Sequence, residues 1–237
     1  MAGDPRERLI FALDVPSADE AKRLLDRVGD AVGIVKIGLE LYTAAGPEVV
    51  RWALAQQKRV FLDLKLLDIG ATVKRATAAA AELGVMLFTV HAAGQTVRAA
   101  VEGRGSSAMK IVAVTVLTSF GDPDLREIGV MESVPEAVLR RARLAASCGA
   151  DGVVASGVEA AMIRKELGQH VLIVTPGIRP LGLSHDDQVH VSTPAGALAA
   201  GSDYLVVGRP IRDAADPAAA ARTIQAEIAA ACGYENL

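Results

Sequence analysis

The sequence predicts an α/β fold, a single (β/α)8 barrel spanning residues 1–237, and three observations predict it. Eight short apolar runs recur along the chain, each followed by an alanine-rich stretch with helical signals. The length of 237 residues is close to the roughly 250 typical of such a barrel. No Pro/Gly/Ser-rich linker, low-complexity tract or second composition zone divides the chain. The competing arrangement is an open, doubly wound sheet. No G-x-G-x-x-G follows the first apolar run, which weakens the dinucleotide-binding form of that alternative.

The strands are read in order as Leu9–Asp14, Ile34–Gly38, Arg59–Lys65, Met86–His91, Lys110–Thr118, Gly152–Ser156, Val171–Thr175 and Tyr204–Gly208. Their near-continuous apolar character suits parallel strands covered on both faces. Between them, Ser17-Ala-Asp-Glu20 is a capping box that opens the first helix. Thr193-Pro194 and Asp216-Pro217 each set a capping side chain before a proline at the first helical position. Aromatic residues make up only 3% of a chain that is 51% hydrophobic, so the core must be built from Ala, Val, Leu and Ile.

Composition also narrows the function. The 25 basic and 28 acidic residues leave a formal charge of −3, which carries no electrostatic footprint for nucleic acid or an anionic membrane. A phosphorylated ligand remains compatible, because a few local cations suffice for it. The N-terminus MAGDPRERLIFALDV lacks the basic-then-apolar run of a signal peptide, and no apolar stretch reaches the length of a membrane span. Two cysteines, Cys148 and Cys232, do not make a disulfide framework. A soluble, cytoplasmic protein is expected.

Side-chain parity picks out the chemistry. Residues two apart in a strand share a face, so Asp63 and Lys65 project together while Leu62 and Leu64 take the other side. The leucines fit the helix-facing side, which turns the charged pair toward the barrel axis near its C-terminal end, where barrels of this type hold their active sites. Lys36 sits similarly between Val35 and Ile37, and Asp14 closes the first apolar run. A structural alternative is a buried ion-pair network that only fixes strand register, although desolvation makes such a network costly. Asp68 lies past the third strand, at the mouth or at the start of a helix, where an ordinary N-terminal acid is also expected.

The segments VTPGIRP (174–180) and VVGRPI (206–211) end strands seven and eight, the loops that frequently form phosphate sites in barrels. Backbone N–H groups at Gly177 and Gly208 can approach an anion without a Cβ in the way. Arg209 can supply a bidentate, charge-assisted contact, and Arg179 is a second candidate. The stretch 181–194 is long enough for a lid over the site. Its His185, Asp186, Asp187 and His190 match no standard zinc spacing, so no metal is assigned. His91 is expected to be a hydrogen-bonded supporting residue rather than a base.

Several segments together resemble the bacterial orotidine 5′-phosphate decarboxylases. They are FALDV (11–15), VKIGLELY (35–42), FLDLKLLDI (61–69), TVHA (89–92), VTVLTS (114–119), TPGIRP (175–180), DQ (187–188) and DYLVVGRPI (203–211). The resemblance runs nearly end to end, and the order and spacing of the pieces are more specific than any one of them. It implies decarboxylation of orotidine 5′-monophosphate in pyrimidine biosynthesis, a homodimer with active sites at its interface, and neither metal nor organic cofactor.

By resemblance, Asp14 and Lys36 bind the ribose hydroxyls, and Lys36 joins Asp63, Lys65 and Asp68 in an alternating charge array. Asp63 and Lys65 flank the reacting carbon, and Lys65 is the proton donor to C6 of the pyrimidine. Asp68 and Thr72 reach in from the partner subunit. Thr118, with Ser119 beside it, matches the pyrimidine contact. Gln188, Gly208 and Arg209 match the phosphate contacts, and Arg179 the GIRP arginine.

One departure stands out. The usual D-I-P-N-T is replaced by Asp68-Ile69-Gly70-Ala71-Thr72, which brings the segment nearer to the 3-keto-gulonate 6-phosphate decarboxylase group. That group holds Mg²⁺ partly through a glutamate at the end of strand two. Lys36 occupies that place here, a cation unable to ligate the metal. A further alternative is a phosphate-ligand binder without turnover, which would be expected to have lost some of the charges that this chain retains.

Overall fold

The computed structural model describes residues 4–180 and 192–234. Eight parallel strands close into a barrel in sequence order: β1 (Leu9–Ala12), β2 (Ile34–Gly38), β3 (Arg59–Leu66), β4 (Leu87–His91), β5 (Lys110–Val114), β6 (Gly152–Val154), β7 (Leu172–Thr175) and β8 (Tyr204–Val207). Pairing of β1 with β8, Phe11 opposite Val207, completes the ring. The open-sheet alternative is thereby set aside.

The helices on the first half are α1 (Ala18–Val28), α2 (Leu39–Ala45), α3 (Glu48–Ala55), α4 (Gly70–Leu83) and α5 (Gly94–Arg104). The second half carries α6 (Asp122–Glu127), α7 (Val134–Ser147), α8 (Gly157–Leu167), α9 (Pro194–Ala199), α10 (Arg209–Arg212) and α11 (Pro217–Cys232). The anticipated caps are present. Thr193 accepts a hydrogen bond from the Gly196 amide at 3.0 Å and Asp216 from the Ala219 amide at 2.9 Å. At α1 only one bond of the capping box forms, Ser17 Oγ accepting from the Glu20 amide at 3.3 Å.

Period-two alternation divides the strand residues into two cores. Ile10, Ala12, Ile34, Phe61, Leu87, Val112, Val114, Val154, Val174 and Val206 fill the barrel. Their neighbours Phe11, Val35, Leu62, Phe88, Ile173 and Val207 pack outward against the helices. With few aromatics to span the gap, β-branched and small side chains do most of this packing, which suits the close approach of helices to a parallel sheet. Lys36, Asp63 and Thr89 continue the inner rows of β2, β3 and β4 by one further inward position, so polar groups begin where the apolar plug ends.

Some strands are shorter than the sequence suggests. Asp14, Thr118, Ser156 and Gly208 lie beyond the ends of β1, β5, β6 and β8. The apolar run outlasts the ladder after β5 because Val116 and Leu117 line a cavity once the chain has left the sheet. The strand β3 instead runs one residue further, to Leu66, through an irregular register against β4.

Candidate active site

The C-terminal mouth of the barrel holds a cavity of about 420 Å³. Its floor is the top of the inner core, Ala12, Phe61, Val114, Val154, Val174 and Val206. One wall is charged. Lys36 donates to Asp14 Oδ1 at 2.7 Å, its ammonium lies 3.7 Å from Asp63 Oδ2, and Lys65 Nζ donates to the same oxygen at 2.8 Å. Four side chains from the first three strands and their ends thus alternate in sign, and their formal charges cancel. Burial pushes the Asp63 carboxyl up, but the Lys36 and Lys65 charges, with hydrogen bonds from Lys65 and Thr89, outweigh it and hold it below the usual carboxylate range. The carboxylate is ionised at neutral pH and both ammoniums face it.

Local backbone explains two of these placements. Lys65 has φ of 49°, a left-handed conformation that costs a residue with a Cβ roughly 1–2 kcal/mol. Simple strand parity foresees its direction but not this bend. Gly38, at the end of β2, lies so close to the pair behind it that a Cβ there would sit 2.8 Å from Lys36 Nζ and 3.2 Å from Asp14 Oδ1. The absent side chain leaves room for that ion pair.

The adjoining wall, next to Asp14 around the ring, comes from the ends of β7 and β8. Pro176, Gly177, Arg179, Gly208, Arg209 and Arg212 line it. Gly177 has φ of 76°, a region that favours glycine, whereas Gly208 is in no such conformation. Arg179 is buried, its Nη1 donating to the Ile178 carbonyl at 3.0 Å. Residues Ile178 and Ser192 pair as an isolated bridge. Gln188 and residues 181–191 of the expected lid, with His185, Asp186, Asp187 and His190, lie outside the described residues.

The structure therefore brings Asp14, Lys36, Asp63, Lys65, Thr118, Arg179, Gly208 and Arg209 to one cavity. It does not bring three others. Ser119 is exposed and off the lining, so of the adjacent pair only Thr118 faces the cavity. Asp68 and Thr72 are exposed and reach no part of their own chain's cavity. Beside them Leu67 and Ile69 are 63% and 74% exposed, an unusual setting for large apolar side chains next to a charged mouth.

Two lining or supporting residues escaped the sequence reading. Arg212 follows Arg209 by one helical turn, a spacing that signals a shared face, and its Nη1 donates to the Asp14 carbonyl at 3.0 Å. Thr89 shares its inward face with Leu87, so parity was available for it too. His91 differs from expectation, since its imidazole makes no hydrogen bond among the described residues. Burial, then the Lys65 and Arg141 charges, lower its pKa, which keeps the ring neutral at pH 7. Among the described residues no group of three or more His, Cys, Asp or Glu is placed to hold a metal ion.

Comparison with known proteins identifies the family. The family model for the orotidine 5′-phosphate decarboxylase / HUMPS family matches residues 7–224. An orotidine 5′-phosphate decarboxylase of Methylobacterium sp. (strain 4-46) is 54% identical over 230 residues, 96% of this chain and 98% of that protein. One from Rhodopseudomonas palustris (strain HaA2) is 53% identical over 226 residues, 95% of this chain and 96% of its own length. The crystal structure of orotidine 5′-phosphate decarboxylase from Lactobacillus acidophilus superposes with a TM-score of 0.84 at 38% identity, covering 94% of this chain and 99% of that one. The chain belongs to the orotidine 5′-phosphate decarboxylase / HUMPS family.

Proposed function

We infer that this chain is a carboxy-lyase that converts orotidine 5′-monophosphate to uridine 5′-monophosphate in pyrimidine biosynthesis, as one catalytic barrel over residues 1–237. The observation that carries the reading is the alternating array Asp14–Lys36–Asp63–Lys65 sharing one cavity with a glycine- and arginine-bearing wall. The wall suits a phosphate, and the array suits a reaction that develops negative charge at carbon.

Breaking the C6–carboxylate bond expels CO₂ and leaves its electron pair in the ring plane at C6, where the pyrimidine offers no π acceptor for it. An ammonium held in place before the reaction stabilises that charge without reorganisation. Lys65 then gives its proton to C6 and is left as the amine, which completes uridine 5′-monophosphate. Asp63 holds the ammonium, Lys36 and Asp14 take the ribose hydroxyls, Thr118 faces the base, and Arg179, Gly208 and Arg209 take the phosphate side together with Gln188. Lys36 on β2 argues against a Mg²⁺-dependent relative, because an ammonium repels the cation and donates no oxygen.

The working unit is a homodimer in which the partner subunit's Asp68 and the partner subunit's Thr72 complete the array. Exposure of both residues, with the exposed apolar Leu67 and Ile69 flanking Asp68, supports this arrangement. A cytoplasmic location fits two free cysteines, Cys148 and Cys232. No described helix is long and apolar enough to cross a membrane.

The test is loss of orotidylate absorbance with EDTA present. Wild-type protein turns over, and Lys65→Ala drops the rate by roughly three orders of magnitude or more with its thermal transition retained. Near-normal turnover by Lys65→Ala removes it as proton donor. Activity confined to a sugar phosphate and a divalent metal would overturn the whole reading.

A further inference from the structure

Thr89 is fully buried on β4 and does not line the cavity. It faces the place where β3 departs from regular pairing. There β3 advances from Leu62 to Leu66 while β4 advances only from Phe88 to Val90. Such an irregularity leaves backbone groups without their ladder partners and re-aims a side chain. Lys65 lies inside it, with the left-handed φ described above. It has no partner in the β4 register, and its amide donates to Thr89 Oγ1 at 2.9 Å.

The direction of the next bond follows from chemistry. An amide N–H can only donate, so the Thr89 oxygen accepts there and keeps its own proton for another acceptor. Asp63 Oδ1, 2.9 Å away, takes it. The other carboxylate oxygen of Asp63 receives Lys65 Nζ. One hydroxyl thus closes a ring that ties both the backbone and the ammonium of Lys65 to the same carboxylate.

We propose that Thr89 is a positioning residue for the decarboxylation, its hydroxyl bridging the Lys65 amide and Asp63 so that the Lys65 ammonium is held at the reacting carbon. The proposal rests on the decarboxylase reading above. Thr89 touches no substrate atom in this scheme. It acts through the aim of Lys65, and a misplacement of about 1 Å in such a group can cost on the order of 100-fold in rate.

Thr89→Val keeps the volume and removes both hydrogen bonds, while Thr89→Ser keeps the hydroxyl. Steady-state decarboxylation of orotidylate is measured for both beside wild type, with the folded fraction set by the thermal transition. Thr89→Val is expected to lose roughly 10- to 100-fold in kcat with KM within about 3-fold, and the acid limb of its pH profile moves to higher pH as Asp63 loses a donor. Thr89→Ser stays within about 3-fold of wild type. Wild-type kcat in Thr89→Val, with a lower thermal transition alone, makes Thr89 merely structural and overturns the proposal. An equal loss in Thr89→Ser overturns it as well.

Hydrogen exchange at the Lys65 amide reads the bridge without any turnover. It quickens at least tenfold in Thr89→Val, while the Leu62 amide on the same strand does not change. Unchanged exchange at Lys65 refutes the bridge. Absent orotidylate turnover in wild type, by contrast, refutes the decarboxylase reading, and with it the catalytic consequence assigned to Thr89.

Discussion

Replacing Gly38 by alanine isolates the charge array from the stability of the barrel. The backbone at Gly38 has φ −99° and ψ −174°, which alanine adopts without strain. The added Cβ, however, would lie 2.8 Å from Lys36 Nζ and 3.2 Å from Asp14 Oδ1. Ordinary contact needs about 3.5 Å or more, so the ammonium must move by roughly 0.7 Å, and it is the free end of a flexible chain. The Lys36–Asp14 bond of 2.7 Å then stretches beyond the roughly 3.2 Å at which such bonds hold.

A charge-assisted hydrogen bond contributes about 1.5–3 kcal/mol. The Asp14 side chain is 44% exposed, so solvent screening brings this down to roughly 1–2 kcal/mol. That corresponds to a loss of about 5- to 30-fold in kcat/KM. Folding changes less, because only a glycine N-cap is exchanged, a matter of about 1 kcal/mol or less. The assay pairs orotidylate decarboxylation kinetics with urea unfolding of Gly38→Ala. Wild-type kcat/KM in a normally folded variant refutes the reasoning, since it would mean that Lys36 and Asp14 need not hold their observed positions.

Three other outcomes are expected. The carboxyl of Asp63 is lowered in the folded state against about 3.9 when unfolded. Its contribution is therefore complete above about pH 4 and is lost as pH falls through the lower folded value; urea midpoints of Asp63→Asn should decline less on acidification through that window than those of wild type, and parallel curves would refute the assignment. Replacing Ile69 by aspartate should shift sedimentation toward monomer and make specific activity fall on dilution, whereas a monomeric wild type with full activity would remove the dimer from the scheme. Arg209→Ala should raise KM for orotidylate by roughly 10- to 100-fold, the value of a charge-assisted contact. It should leave turnover of the phosphate-free nucleoside unchanged, and an equal effect on both substrates would show that Arg209 does not serve the phosphate.

Much of this protein follows from local pattern. Alternation of inward and outward residues is a property of every extended strand, so the sequence by itself determined that Lys36, Asp63 and Lys65 turn away from the helices. The eight strand–helix repeats set the barrel, and the glycine–arginine pairs after strands seven and eight mark one wall of the site. Gly70-Ala71, atypical beside the resemblance, forms the first turn of α4, with Ile69 at its N-cap.

Other features depend on groups far apart in the chain. The offset between β3 and β4 bends Lys65 into a left-handed backbone and places Thr89 against it; neither strand alone carries that register. Gly38 matters only because Asp14, just past the end of β1, and Lys36, on β2, converge beside it. Arg212 gains its role from the Asp14 carbonyl across the β1–β8 seam. Strand parity aims a side chain, but only closure of the barrel decides which charges meet, because Coulomb and hydrogen-bond energies depend on distances that the local pattern does not contain.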